Sequence, residues 1–97
     1  MNALSQQEIQ SLCRREHGWT FTAGKISRDW NFADFVAAMS FVNRVADFAE
    51  EAGHHPDIDI RYNHVTLSLV THDAGGVTAR DAKMAAQLNR EFPPPQD

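Results

Sequence analysis

The stretch that most constrains the fold is the run from Phe35 to Ala52, whose apolar spacing is typical of one long amphipathic helix. Two apolar stripes lie side by side along it. The first comprises Phe35, Met39, Val42, Ala46 and Ala49, and the second comprises Ala38, Phe41, Val45, Phe48 and Ala52. Together the stripes cover a broader arc than one sheet face needs. The helix is therefore either deeply buried or meets a second subunit along one stripe.

Segments on both sides of this helix alternate apolar and polar residues, as half-buried strands do. Before the helix, residues 19–32 predict an antiparallel hairpin that turns at residues 23–25. After the helix, residues 57–71 predict a second hairpin. Its two-residue loop is expected at Asn63-His64, because both residues tolerate positive φ better than most.

A helix is predicted near each end of the chain. Capping boxes that start at Ser5 and Thr78 each predict a helix N-terminus. Three consecutive prolines from Pro93 end the last helix, and we expect residues 93–97 to form a short flexible tail. The element order α-β-β-α-β-β-α predicts one α+β domain over residues 1–97, in which a four-stranded antiparallel sheet carries three helices on one face.

Length and composition fit one soluble globular domain, since the chain has 97 residues and 42% of them are hydrophobic. A net charge of -4 argues against a nucleic-acid-binding surface. The lone Cys13 excludes an internal disulfide and fits a reducing compartment. We see neither a signal peptide nor an apolar run near the ~20 residues of a membrane span, so we expect a cytoplasmic protein without membrane contact.

The segment with the clearest chemistry follows the long helix directly. Gly53 can adopt the left-handed conformation that ends helices and Pro56 cannot continue one, so His54 and His55 fall in a short, stiff connector. Histidine can give and take protons near neutral pH. Glu50 lies four residues before His54, on the same side of the last helical turn, where its carboxylate would orient that imidazole.

Each of these residues also has a purely structural interpretation. A histidine pair at a helix end can simply complement the negative end of the helix dipole. His72 falls at the predicted end of a strand, where polar residues are common, and Asp81 is a suitable helix cap. Imidazole also binds zinc, but adjacent histidines point in different directions and the chain has one cysteine and no HxxxH pair, so we expect no metal.

In combination, these residues resemble the pterin-4a-carbinolamine dehydratase family. The shared pattern is a carboxylate, a His-His-Pro, an aromatic, a histidine and an aspartate, here Glu50, His54-His55-Pro56, Tyr62, His72 and Asp81. The segment 71–78 is similar to the family's THxxxGxT turn, and Trp19 and the run that begins at Phe32 are similar to its N-terminal half. Ile58 departs from the pattern, because many members carry a tryptophan there, and this leaves the rim of the pocket open.

The resemblance implies a hydro-lyase that removes water from a 4a-hydroxytetrahydropterin to give quinonoid dihydropterin, with no metal, nucleotide or redox cofactor. An acid must protonate the 4a-hydroxyl and a base must take a proton from a ring nitrogen. The resemblance assigns His54, His72 and Glu50 as catalytic, with His54 and His72 as the acid–base pair. It assigns His55, Pro56, Asp57 and Asp81 to substrate binding. Which histidine is the acid stays open.

The resemblance also implies partners. An aromatic amino acid hydroxylase would supply the substrate, and the chain would form a homodimer or homotetramer. The alternative is a non-catalytic interaction protein, since animal members also act as a dimerisation cofactor for a transcription factor. The helical surface around Phe41 and Phe48 keeps that alternative open.

Overall fold

Three helices and four strands follow one another in the predicted order in the computed structural model, which describes residues 2–92. The helices are α1 (Gln6–Arg15), α2 (Phe35–Ala52) and α3 (Ala79–Glu91). The strands are β1 (Thr20–Thr22), β2 (Lys25–Asn31), β3 (Asp57–Arg61) and β4 (His64–Leu69). The predicted α+β class is confirmed. The tail predicted at 93–97 lies outside the described residues.

The four strands form one antiparallel sheet in the order β1-β2-β4-β3. The two hairpins join through β2 and β4, whose register runs from Ile26 opposite Leu69 to Asn31 opposite His64. This arrangement places β1 and β3 at the edges. The connector that carries the two adjacent histidines therefore leads from the end of α2 directly into an edge strand.

The two faces of the sheet differ sharply in polarity, as strand alternation requires. The buried inner face consists of Ile26, Arg28 and Trp30 from β2 and Val65, Leu67 and Leu69 from β4. The three helices pack on this face and contribute Ile9, Leu12, Phe41, Val45, Ala85 and Leu88 to the same core. The outer face is polar and carries cross-strand hydrogen bonds, such as the one between the Ser27 and Ser68 hydroxyls at 2.8 Å.

The long helix α2 begins and ends where its sequence predicts. Asp34 caps the N-terminus and accepts from the Ala37 amide at 2.8 Å, while Gly53 ends the helix at φ 63. The second apolar stripe faces the core through its first three members. The first stripe is divided, since Val42 is buried whereas Phe35 is 49% exposed.

The loop of the second hairpin differs from the prediction by one residue. It is Tyr62-Asn63, because His64 is already the first residue of β4 and pairs with Arg61. Tyr62 takes the positive φ of 52. The Asn63 side-chain amide donates to the Phe32 carbonyl at 2.9 Å, a contact with the first hairpin that holds Asn63 in the loop. Tolerance of positive φ alone could not reveal this contact.

One cation lies inside the core. Arg28 is buried, its guanidinium stacks 4.2 Å from the Trp30 ring, and it donates to the side-chain oxygen of Asn89. The same oxygen accepts from Trp19 Nε1 at 3.0 Å, and Asn89 Nδ2 donates to the His17 carbonyl at 3.1 Å. Burial lowers the pKa of Arg28. This network ties β2 and α3 to the segment before β1.

Among residues 2–92, no helix combines the length and the apolar character needed to cross a membrane.

Candidate active site

The two adjacent histidines directly follow α2 and lie in different environments. The amide of His54 donates to the Ala49 carbonyl at 3.2 Å, so the chain stays tied to the helix as it turns at Gly53. His54 is then 9% exposed, whereas His55 points into solvent. Arg80 of α3 donates from Nη2 to the Gly53 carbonyl at 3.0 Å. This bond fixes the connector against the first turn of α3.

The His54 ring is held by a buried carboxylate. Its Nε2 lies 2.6 Å from Oδ1 of Asp81, which is 0% exposed. The other oxygen of Asp81 accepts from the Thr71 hydroxyl and from the Thr78 amide, both at 2.8 Å. An ionised carboxylate can only accept hydrogen bonds, so we assign Nε2 of His54 as the donor of the shared bond. Nδ1 is then the His54 nitrogen left to exchange protons with a substrate.

Glu50 does not orient His54, as its spacing predicts, but contacts His55. Its Oε2 lies 2.5 Å from Nε2 of His55, and both side chains are largely exposed. The left-handed turn at Gly53 takes the chain off the helical path, so the relation of residues four apart no longer holds. An exposed pair of this kind adds little stability.

His72 lies in a short 3-10 turn, His72–Ala74, and not at the end of a strand, because β4 already ends at Leu69. The turn closes through a hydrogen bond from the Thr71 amide to the Gly76 carbonyl at 3.0 Å. The Thr71 hydroxyl anchors it to Asp81. Asp81 thus holds the His54 ring directly and the backbone beside His72 through Thr71, while the His72 side chain stays exposed.

The two remaining predicted residues lie just beyond the histidines. Pro56 is buried at the end of the connector. Asp57 begins β3 opposite Ser68, on the polar face of the sheet, and its Oδ2 lies 2.6 Å from Nζ of Lys25. Its carboxylate is therefore engaged by β2, and the ion pair does not link it to a histidine.

A cavity of about 350 Å³ opens between α2 and α3, with His54 in its wall. The other lining residues are Phe48, Glu51, Ala52, Arg80, Lys83, Met84 and Gln87. None of these is among the predicted site residues. The signal that could have found them is the spacing of Arg80, Lys83 and Gln87 at i, i+3 and i+7, which lines up three polar side chains on one side of α3.

Within the described range 2–92, no three His, Cys, Asp or Glu side chains are grouped closely enough to hold a metal ion. Cys13 is partly buried, and burial raises the pKa of its thiol. A raised thiol pKa favours the unreactive protonated form.

The fold and the site together define a small α+β protein in which a buried carboxylate fixes the tautomer of a histidine beside a cavity. This is an arrangement suited to general acid–base chemistry. The family model described as pterin 4 alpha carbinolamine dehydratase matches residues 2–91, and the chain belongs to that family.

Two curated relatives are similar in sequence to this chain over most of their length. A protein of Koribacter versatilis (strain Ellin345), named "Putative pterin-4-alpha-carbinolamine dehydratase", is 53% identical over 93% of this chain and 96% of its own. A protein of the same name from Acidobacterium capsulatum is 54% identical over 91% of this chain and 96% of its own. The resemblance seen in the sequence is therefore confirmed at the level of the family.

Solved structures share the fold. One described as a transcriptional coactivator/pterin dehydratase from Brucella melitensis superposes with a TM-score of 0.86 at 36% identity, over 92% of this chain and 97% of that one. Another, described as a pterin dehydratase-like protein that is a RuBisCO assembly factor in the alpha-carboxysome, has a TM-score of 0.65 at 18% identity, over 81% of this chain and 94% of that one. The second likeness is evidence of the fold alone.

Proposed function

We propose that this protein dehydrates a 4a-hydroxytetrahydropterin to quinonoid dihydropterin by histidine acid–base catalysis. The observation that carries the proposal is the hydrogen bond at 2.6 Å between Nε2 of His54 and Oδ1 of the buried Asp81. It leaves Nδ1 of His54 as a bare nitrogen of fixed orientation. Membership of the dehydratase family names the substrate on which such a nitrogen would act.

The reaction is an elimination of water across two neighbouring ring atoms. An acid protonates the hydroxyl on C4a, and the C–O bond breaks to release water. The lone pair of N5 forms the C4a=N5 double bond, and a base removes the proton from N5. No electrons leave the substrate, and one proton is delivered while one is taken away. The step therefore needs two proton-transfer sites and no redox cofactor.

His54 and His72 are the proposed acid–base pair, each worth about 10²–10⁴ in rate. His54 acts through Nδ1, because Asp81 occupies Nε2. His72 belongs to the 3-10 turn that Asp81 anchors through Thr71, and its ring is exposed. One carboxylate therefore supports both His54 and His72. Asp81 itself is fully buried and acts through these neighbours. The contribution of both histidines therefore depends on how rigidly Asp81 is held.

His55 is proposed to bind and orient the pterin, with Glu50 keeping its ring in place at 2.5 Å. Glu50 thus acts through His55 and not through His54. Pro56 shapes the connector and Asp57 stands at its exit, and both are proposed to border the substrate. The ion pair of Asp57 with Lys25 limits that role, since binding through the carboxylate would first have to break it.

The proposed substrate is the 4a-hydroxy compound that an aromatic amino acid hydroxylase releases. We therefore propose that the protein acts after such a hydroxylase, in cytoplasmic recycling of tetrahydropterin. A non-catalytic interaction role is not favoured. Such a role would not need the buried hydrogen bonds by which Asp81 holds an imidazole.

A homodimer or homotetramer is also proposed, on two exposed apolar features. Ile58 and Ile60 lie on the inner face of edge strand β3, opposite the buried Leu67 and Val65, yet are 38% and 37% exposed. On α2, Phe35 and Val36 are exposed as well. Soluble monomers seldom leave apolar surface of this kind open on a sheet edge.

The test is a coupled assay with a pterin-dependent hydroxylase, in which the decay of the 4a-hydroxy intermediate is followed by absorbance. We expect the protein to accelerate the decay above the spontaneous rate, and a chelator to leave the acceleration unchanged. His54→Ala protein at the same concentration is the control for non-specific effects. Equal decay with wild-type protein, with the variant and without protein would refute the proposal.

A further inference from the structure

The cavity between α2 and α3 lies beside His54, and the dehydration step as proposed does not use it. Its inner wall includes the apolar side chains of Phe48 and Met84, whereas two cations, Arg80 and Lys83, lie on its α3 side. Among residues 2–92, Glu51 is the only carboxylate that lines it. On a chain with a net charge of -4, an excess of positive charge around a cavity points to an anionic occupant.

The two cations are not committed to carboxylates of the described range. Lys25, Arg44 and Arg61 are each in an ion pair with an acidic side chain. Within residues 2–92 neither Arg80 nor Lys83 has such a partner. Arg80 donates from Nη2 to the Gly53 carbonyl, which steers the guanidinium towards the His54 connector and leaves its other donors for a ligand.

The chemistry of the pterin ring determines which part of the substrate would reach this cavity. The reacting atoms are C4a and N5, and the carbon that bears the side chain, C6, is bonded directly to N5. At about 1.5 Å per bond, the first side-chain atom lies within roughly 4 Å of C4a. When His54 is in hydrogen-bond reach of the 4a-hydroxyl or of N5, the C6 side chain must therefore begin close to the wall that His54 forms.

On this basis, and resting on the proposed dehydratase function, we infer that the cavity is the subsite for the C6 side chain and selects pterins whose side chain carries an anion. Phosphate and carboxylate share the required chemistry, since both accept charge-assisted hydrogen bonds from guanidinium and ammonium groups. A volume of about 350 Å³ suits a side chain of a few polar atoms with a terminal anion. A neutral hydroxylated side chain would leave both cations without an acceptor.

The test compares three substrates prepared as 4a-hydroxy compounds. They are 6-hydroxymethyl-tetrahydropterin, its phosphate monoester, and a tetrahydropterin whose side chain ends in a glutamate carboxylate. We expect kcat/KM to be at least about tenfold higher for an anionic substrate than for the neutral one, the gain typical of one added charged hydrogen bond. The ranking of phosphate against glutamate identifies the anion. Raising the salt concentration should reduce the preference.

Lys83→Gln is the decisive variant, because Lys83 is exposed and bonds to neither the His54 connector nor Asp81. We expect the ratio of kcat/KM for the anionic pterin to kcat/KM for the neutral pterin to fall from at least about tenfold towards one. Arg14→Gln, which removes an exposed cation from α1, is the matched control and should keep the full preference. The same comparison with unreactive 7,8-dihydropterins in equilibrium binding separates affinity from chemistry.

The possible results separate the inference from the function on which it rests. Equal kcat/KM for neutral and anionic pterins in the wild-type protein would overturn the subsite and leave the dehydratase proposal intact. The same holds for a preference that Lys83→Gln and Arg14→Gln retain equally. If none of the three substrates is dehydrated above the spontaneous rate, the proposed function itself fails.

Discussion

Nε2 of His54 and Oδ1 of Asp81 lie 2.6 Å apart and join the connector after α2 to the first turn of α3. Asp81 also completes the capping box of α3, since its second oxygen accepts from the Thr78 amide. From the sequence, a helix cap and an active-site carboxylate are compatible roles for Asp81. In the structure this one side chain caps α3 and also contacts the His54 ring, because each of its two oxygens faces a different partner.

Replacing Asp81 tests whether this bond sets the tautomer of His54. In Asp81→Asn the amide has a single acceptor oxygen. If that oxygen keeps the cap on Thr78, the NH₂ group faces His54 and moves the ring proton from Nε2 to Nδ1. We expect kcat to fall by about 10²–10⁴. Asp34→Asn, a change at a helix cap that holds no histidine, is the control and should keep full kcat. An Asp81→Asn protein with at least half of the wild-type kcat would contradict the assignment.

The histidine roles can be separated by kinetics. His54→Ala and His72→Ala should each lower kcat by two to four decades, about the loss expected for a general acid or base. His55→Ala should act mainly through KM, since uniform binding does not alter the chemical step. Circular dichroism checks that each variant is folded. The acid–base assignment is wrong if both of the first two variants, well folded, turn over substrate at near the wild-type rate.

The buried arginine network makes a prediction about stability. Asn89→Ala removes the oxygen that accepts from both Arg28 and Trp19, and it leaves a charged group without that acceptor inside the core. We expect the free energy of unfolding to fall by about 3 kcal/mol, the upper range for a buried unsatisfied group. Urea titration measures it. Asn43→Ala on the exposed side of α2 is the control and should change stability by less than about 0.5 kcal/mol. Equal midpoints for the two variants would show that the network adds nothing.

Assembly is tested at the edge strand β3. If Ile58 and Ile60 are covered by a second copy, Ile60→Lys should reduce the mass measured by sedimentation, because a buried lysine without a partner is costly and an edge lysine opposes strand pairing. Gln10→Lys on the exposed side of α1 adds the same charge elsewhere and should keep the wild-type mass. If the wild-type protein is fully active and strictly monomeric at micromolar concentration, activity does not require an oligomer.

Local physics explains why much of the fold could be predicted. The bounds of α2 follow from the Asp34 cap, the apolar period and the left-handed Gly53, all of which act within one or two helical turns. The capping boxes at Ser5 and Thr78 likewise involve residues three apart. The strands follow from alternation. Each signal depends on near neighbours, so the chain itself determines these elements and their order.

Tertiary packing decided which carboxylate meets which histidine. Sequence spacing predicted a contact between Glu50 and His54. Instead, the docking of α3 brings Asp81, which is 27 residues away, into contact with His54. Glu50 contacts His55, because the turn at Gly53 takes the chain off the helical path. The contact of Asn63 with Phe32 shifted the hairpin loop in the same way, across 31 residues. The cavity beside Lys83 exists only where two helices meet. Contacts over such separations depend on how finished elements pack, which no local pattern encodes.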